Sequence, residues 1–119
     1  MTSEGFKGLA AVVALVCALG CESSWESAAC PPEGTDLTYE SFGRGFIGAH
    51  CQSCHASNSE ERRGAPKGIS FDTHDEVIEW IDRIYDRSAG DSTSMPPGPD
   101  DPPAEDRDKL EVWLACGAP

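Results

Sequence analysis

The sequence predicts an all-α domain. Three stretches repeat apolar residues at helical spacing, and no stretch alternates as a strand does. The first of the three closes on Cys51-Gln52-Ser53-Cys54-His55, whose reactive side chains at i, i+3 and i+4 fall on one helical face.

The chain opens with a segment that reads as targeting rather than structure. Residues 1–20 carry one basic residue, Lys7, followed by an apolar run from Leu9 to Leu19. Eleven residues match the apolar region of a signal peptide and are too few to span a bilayer. The run ends in Ala18-Leu19-Gly20-Cys21, which resembles the lipobox of bacterial lipoproteins. That resemblance implies lipidation at Cys21, with ordinary signal-peptide cleavage as the alternative. Residues 21–36 are polar, contain Pro31-Pro32, and read as a lipidated N-terminus and flexible tether. The folded domain is expected over residues 37–119.

The first helix is expected from Leu37 to about Cys54, opening at Thr38 or Asp36. Tyr39, Phe42, Phe46 and Ile47 form its apolar positions. Gly43, Gly45 and Gly48 each cost about 1 kcal/mol against Ala in a helix. They either admit a second helix at close range or break this one so that it starts near Gly45. Ala56 to Ile69 reads as a loop, with Gly64-Ala65-Pro66 its main feature. Thr73-His74-Asp75-Glu76 reads as a capping box. The helix it opens, Asp75 to Ser88, is expected to bury Val77, Ile78, Ile81, Ile84 and Tyr85, with Glu79 and Arg83 paired on the outer face.

Ala89 to Pro103 is a loop with five prolines and contains Ser94-Met95-Pro96-Pro97. Asp101 before Pro102 is expected to cap the last helix. That helix runs to about Cys116 with Leu110, Trp113 and Leu114 facing inward, and Gly117 as its C-cap.

The C-x-x-C-H spacing is that of a covalent c-type haem site. Cys51 and Cys54 can add across the two vinyl groups of a haem, and the adjacent His55 then serves as an axial ligand. Other uses of the pair demand more than the chain offers. A zinc site wants four ligands, usually as two close pairs, and His74 and Cys116 are the later candidates, each alone. A thioredoxin-like redox pair expects a βαβ context that is missing from this pattern. The 83 residues from Leu37 onward are marginal for building a core unaided, and a buried haem would supply apolar surface.

Six cysteines suit an oxidising compartment. Cys17 leaves with the signal, Cys21 carries lipid, and Cys51 and Cys54 carry haem. Cys30 and Cys116 remain, either as a disulfide or as free, buried thiols. The formal charge is −12 and stays so without residues 1–20, which hold one acid and one base. Such a balance excludes nucleic acid as a partner and excludes anchoring by a basic patch. It fits a redox protein partner with a basic docking face, where charge speeds encounter. Plain solubility is the other reading of the same charge.

The C-x-x-C-H motif, the Met-Pro-Pro loop and the Trp-bearing terminal helix together resemble a small class I cytochrome c, over roughly Leu37 to Pro119. The resemblance implies three main helices wrapped around one covalently attached haem, with the first and last helices crossing through Phe46 and Trp113. It places Cys30 and Cys116 at neighbouring helix ends, which favours the disulfide. It implies Met95 as the second axial ligand. Independently, Met95 lies on a loop 40 residues after His55, and Pro96 biases it toward extended backbone. A Met filling a gap in the core is the alternative. His50 is expected to point away from the iron and His74 to stand in an exposed first turn. The resemblance implies Pro66 as the carbonyl that accepts the other ring N–H of His55. Arg62, Arg63, Lys67 and Trp80 are candidate partners of the haem propionates.

A His/Met pair fills both axial positions and raises the potential relative to stronger donors. The expected function is therefore one-electron transfer by an exported, lipid-anchored carrier on the periplasmic side of a bacterial membrane, not an enzyme. Two alternatives come from other classes: a ligand-binding or peroxidase-like haem protein with a labile sixth position, and a zinc-stabilised interaction module.

Overall fold

The computed structural model describes residues 30–119, and their regular structure is helical without a strand. The expected signal segment 1–20, the expected lipidation at Cys21 and residues 21–29 of the expected tether lie outside the described residues. No helix among the described residues is long and apolar enough to cross a membrane.

The first helical stretch is wound in three pieces rather than one. Thr38 caps it: its hydroxyl accepts the Ser41 N–H at 3.0 Å, and the Ser41 hydroxyl accepts the Thr38 N–H at 3.0 Å. A π-helical turn, Tyr39–Gly43, then runs into α1, Arg44–His50. Cys51 (φ −117°, ψ −39°) interrupts it and caps a single further turn, α2, Gln52–His55. The C-x-x-C-H segment therefore straddles a joint instead of closing a continuous helix.

The second stretch divides as well. α3, His74–Glu79, opens with the Thr73–Glu76 capping box, in which each side chain accepts the other residue's N–H. Trp80 (φ −106°, ψ 18°) ends it, and α4, Ile81–Ser88, follows. Val77, Ile81 and Ile84 are buried, following the i, i+4, i+7 stripe. Ile78, expected inside, is 42% exposed because it lies one residue round from that stripe.

α5, Ala104–Ala115, starts two residues later than Asp101-Pro102 predicts; Pro103 occupies the cap position and no side chain caps the helix. Leu110, Trp113 and Leu114 are fully buried. At its end Gly117 (φ +86°) donates to the Leu114 carbonyl and Ala118 to the Trp113 carbonyl, both at 2.9 Å. This pair closes the helix in a Schellman motif.

α5 packs on α4 and presents Trp113 to the first stretch. The crossing is made by Phe42, edge-on to Trp113 with centroids 6.1 Å apart, and by Tyr39 at 6.4 Å. Phe46, expected at this crossing, is buried one turn further on against Phe42 and His50. Gly43 is the residue on which the Trp113 ring lies.

Cys30 and Cys116 form a disulfide with Cα atoms 4.9 Å apart, closing a separation of 86 residues. Residue 30, within the expected tether, is thus fixed to the end of α5.

Candidate haem-binding cleft

A cleft of about 760 Å³ opens between the Cys51–His55 segment, the following loop, α4 and the proline-rich loop. Its volume lies within the range of about 300–1,000 Å³ common for small-molecule sites. Cys51, Cys54 and His55 line it together with Met95. Ile69, Phe71, Ile84, Pro96 and Pro97 supply apolar wall.

His55 is held on two sides. Its ring stacks on Phe71 at 4.6 Å, and Nδ1 lies 3.4 Å from the Ile69 carbonyl oxygen. Pro66 lines the cleft, but its carbonyl accepts from Arg62 Nη2 at 2.7 Å instead of serving His55. Ile69 takes that role because the chain turns back through the Ile69 N–H to Pro66 O bond, bringing the later carbonyl to the ring. Burial lowers the His55 pKa; the Ile69 carbonyl opposes this and the Arg62 charge adds to it. The neutral imidazole, the form that ligates a metal, is favoured.

Arg62 shapes this side of the cleft. Its guanidinium donates to the carbonyls of Ala56, Ala65, Pro66 and Ile69, at 2.6, 3.2, 2.7 and 3.0 Å. The loop from α2 to Ile69 is therefore folded around one side chain.

Met95 is held through its backbone. Its N–H donates to Arg87 O at 2.9 Å, and its carbonyl accepts from Arg107 Nη1 at 2.9 Å. The Cys51 thiol is buried and pushed up to about 12 by desolvation, against the opposing charge of Arg107. A redox-active thiol needs the opposite shift, toward the thiolate.

The expectations for other residues divide. His50 lines the cleft, its ring 4.9 Å from Phe46, although its helical position predicts that it points away. The joint at Cys51 changes the rotation between the two residues. His74 stands elsewhere: Nε2 lies 2.7 Å from the Ala118 carbonyl, and the ring stacks on Tyr39 at 4.3 Å. Of the four candidate propionate partners, Arg62 and Arg63 line the cleft, whereas Lys67 and Trp80 do not. Arg83 lines it too, instead of pairing with Glu79, and Arg87 joins it one turn later. Arg63, Arg83 and Arg87 carry no ion pair among the described residues. The i, i+4 spacing of Arg83 and Arg87 beside buried Ile84 and Ser88 was the available signal for them. Ile69, Phe71 and Arg107 had no such local signal.

These residues fit a covalently held haem. Two thiols, an imidazole and a thioether line one largely apolar cleft, with three unpaired guanidinium groups along it for anionic substituents. Among the described residues, no three His, Cys, Asp or Glu side chains gather into a group able to hold a metal ion by themselves. Comparison with known proteins finds no matching family model, no matching curated protein and no matching solved structure.

Proposed function

We propose that this chain is a one-electron carrier in which Cys51 and Cys54 would hold one haem c and His55 and Met95 would ligate its iron. The observation that carries the reading is that His55 and Met95, distant in sequence, line the same cleft as the two cysteines. The haem, when bound, supplies an iron that changes oxidation state by one electron.

The chain's residues do the rest. Ile69 O orients the His55 ring, which fixes its tautomer with the proton on Nδ1 and leaves Nε2 as the ligating atom. Ile69, Phe71, Ile84 and the Pro96-Pro97 step exclude water, which favours the less charged, reduced state. With His55 and Met95 both ligating, no place would be left on the iron for a substrate, and the chain would act as a carrier rather than an enzyme. A lipid at Cys21 and a short spacer would keep it on the periplasmic side of a bacterial membrane. A redox protein with a basic docking face would complement the net charge of −12.

The optical spectrum of the mature protein, co-expressed with a haem-attachment system, tests the reading. A low-spin spectrum in both oxidation states, unchanged by carbon monoxide, is the expected result. A shift on adding the gas would replace electron transfer with ligand binding or peroxidase-like chemistry at a labile sixth position. A colourless protein would overturn the haem reading and leave the two cysteines to a zinc-stabilised module or a disulfide.

A further inference from the structure

Arg107 stands apart from every other cation among the described residues. Its residue is 3% exposed, in a first-turn region of α5 otherwise rich in acids. Its Nη1 lies 2.9 Å from Ser88 O, 2.8 Å from Ser92 O and 2.9 Å from Met95 O. The Arg107 carbonyl in turn accepts the Gly90 N–H at 2.9 Å. Its Nη2 is buried without a hydrogen-bond partner and faces Asp101 Oδ1 at 3.7 Å. One residue therefore touches the end of α4, three points of the following loop and the approach to α5.

The donor count matters here. Nη1 has two N–H groups for three carbonyl oxygens, so they share two protons, and each bond is strengthened by the positive charge. A neutral side chain of similar length would leave oxygens without a donor in a partly dry setting. They would regain partners only by turning toward water, which moves the loop. The other backbone bond of Met95 among the described residues, its N–H to Arg87 O, is a neutral one without the added strength of a charge. A surface ion pair cannot explain the arrangement, because Asp101 is largely exposed and sits beyond hydrogen-bond distance.

We infer that Arg107 is the positioning residue for Met95, fixing the main chain of the proline-rich loop so that the thioether is presented to the cleft. This rests on the haem reading proposed above for Met95 as ligand. Arg107 does not itself line the cleft and bonds to no ligating atom; it acts through the carbonyls of Ser88 and Met95, which belong to residues that do line it.

The test uses the haem-loaded full chain and four variants: Arg107→Met, Arg107→Lys, Met95→Ala and Ser94→Ala. The readouts are carbon monoxide uptake by the reduced protein and amide hydrogen exchange at Gly90, Met95 and Ile84. Arg107→Met is expected to take up carbon monoxide, as Met95→Ala does, and to exchange the Met95 amide about tenfold faster or more. Ile84, whose amide bonds to Trp80 O within the helical layer, is expected to keep its protection. Arg107→Lys retains the charge without the planar fork and is expected to fall between wild type and Arg107→Met. If Arg107→Met does not fold, Arg107→Lys carries the same comparison. Ser94→Ala, which removes only a hydroxyl bonded to Arg87 O, is expected to behave as wild type.

The inference is overturned if the folded Arg107 variants refuse the gas while Met95→Ala accepts it, or if they exchange at Met95 as wild type does. A different result sinks the underlying reading instead: Met95→Ala and wild type giving the same spectrum. In that case faster exchange at Met95 in the Arg107 variants would still show the loop to be held by Arg107.

Discussion

Gly43 and Trp113 meet without room for another atom: a Cβ on residue 43 would overlap the six-membered ring of the indole. The ring cannot yield, since Trp113 is fully buried and its Nε1 donates to Pro119 O at 3.2 Å. The π-helical winding of Tyr39–Gly43 occurs at this contact.

Gly43→Ala is accordingly expected to destabilise the domain by about 1–3 kcal/mol, the usual cost of overfilling a packed site. Gly48→Ala is its control, because a Cβ there meets nothing within 4 Å. In α1 that change is expected to stabilise by about 0.5–1 kcal/mol through the higher helix propensity of Ala. Urea unfolding of the two haem-loaded variants beside wild type checks both signs. Equal midpoints for the pair would mean that the Trp113 contact is not a constraint.

The Cys30–Cys116 disulfide ties the segment before the first helix to the end of the last, across 86 residues. Closing a loop of that length removes much of the entropy of the unfolded chain. The double variant Cys30→Ser, Cys116→Ser is expected to lose about 2–5 kcal/mol. Thermal unfolding with and without reductant checks this, and the double variant should show no further response to reductant. Its haem spectrum is expected to stay that of wild type, since neither cysteine lines the cleft.

Acid should loosen the motif segment before it unfolds the core. The Asp72 carboxylate accepts the Ser57 hydroxyl, the Ser57 N–H and the Gln52 amide, and these bonds hold its pKa below the ordinary carboxylate value. The folded-state pKa is the lower one, so the stabilisation is full above the unfolded value of about 4 and is lost as pH falls through the folded value. Glu76 behaves likewise, through Ser70 first and the Thr73 N–H second. Asp72→Asn is expected to be less stable near neutral pH and to show a shallower decline below pH about 4. Stability measured across pH 2–7 decides, and parallel acid limbs for variant and wild type would rule Asp72 out.

Much of this architecture could be read locally, and what escaped was set by distant contacts. The Thr73–Glu76 box and the Val77, Ile81, Ile84 stripe depend on neighbours within two turns, so the sequence pattern sufficed. So did the inward face of α5, Leu110, Trp113 and Leu114. Neither Cys51 nor Trp80, where the helices are interrupted, is a Gly or Pro that would announce the break. The carbonyl at His55 was misplaced by three residues because it depends on how Arg62 folds the loop. Arg107 was invisible for the same reason: the carbonyls it serves lie 12 to 19 residues earlier in the chain. A C-x-x-C-H motif is legible from spacing; the residues that hold the loops around it are not.

The Ile69 carbonyl serves two donors, His55 Nδ1 at 3.4 Å and Arg62 Nη2 at 3.0 Å. A cation on a shared acceptor draws electron density from it and weakens its hold on the imidazole proton. Arg62→Met would release the carbonyl to His55 alone. The imidazole would become the stronger donor to a bound iron, which favours the oxidised state. Loss of the positive charge acts in the same direction. The reduction potential of the loaded protein is therefore expected to fall, by an amount on the order of tens of millivolts. Arg62→Lys, which keeps the charge but cannot reach four carbonyls from one plane, should fall less. Equilibrium redox titration of the three proteins measures the order directly. A rise in potential for Arg62→Met would mean that the loosened loop takes the Ile69 carbonyl away from His55, leaving the imidazole a weaker donor, and that this outweighs the lost charge.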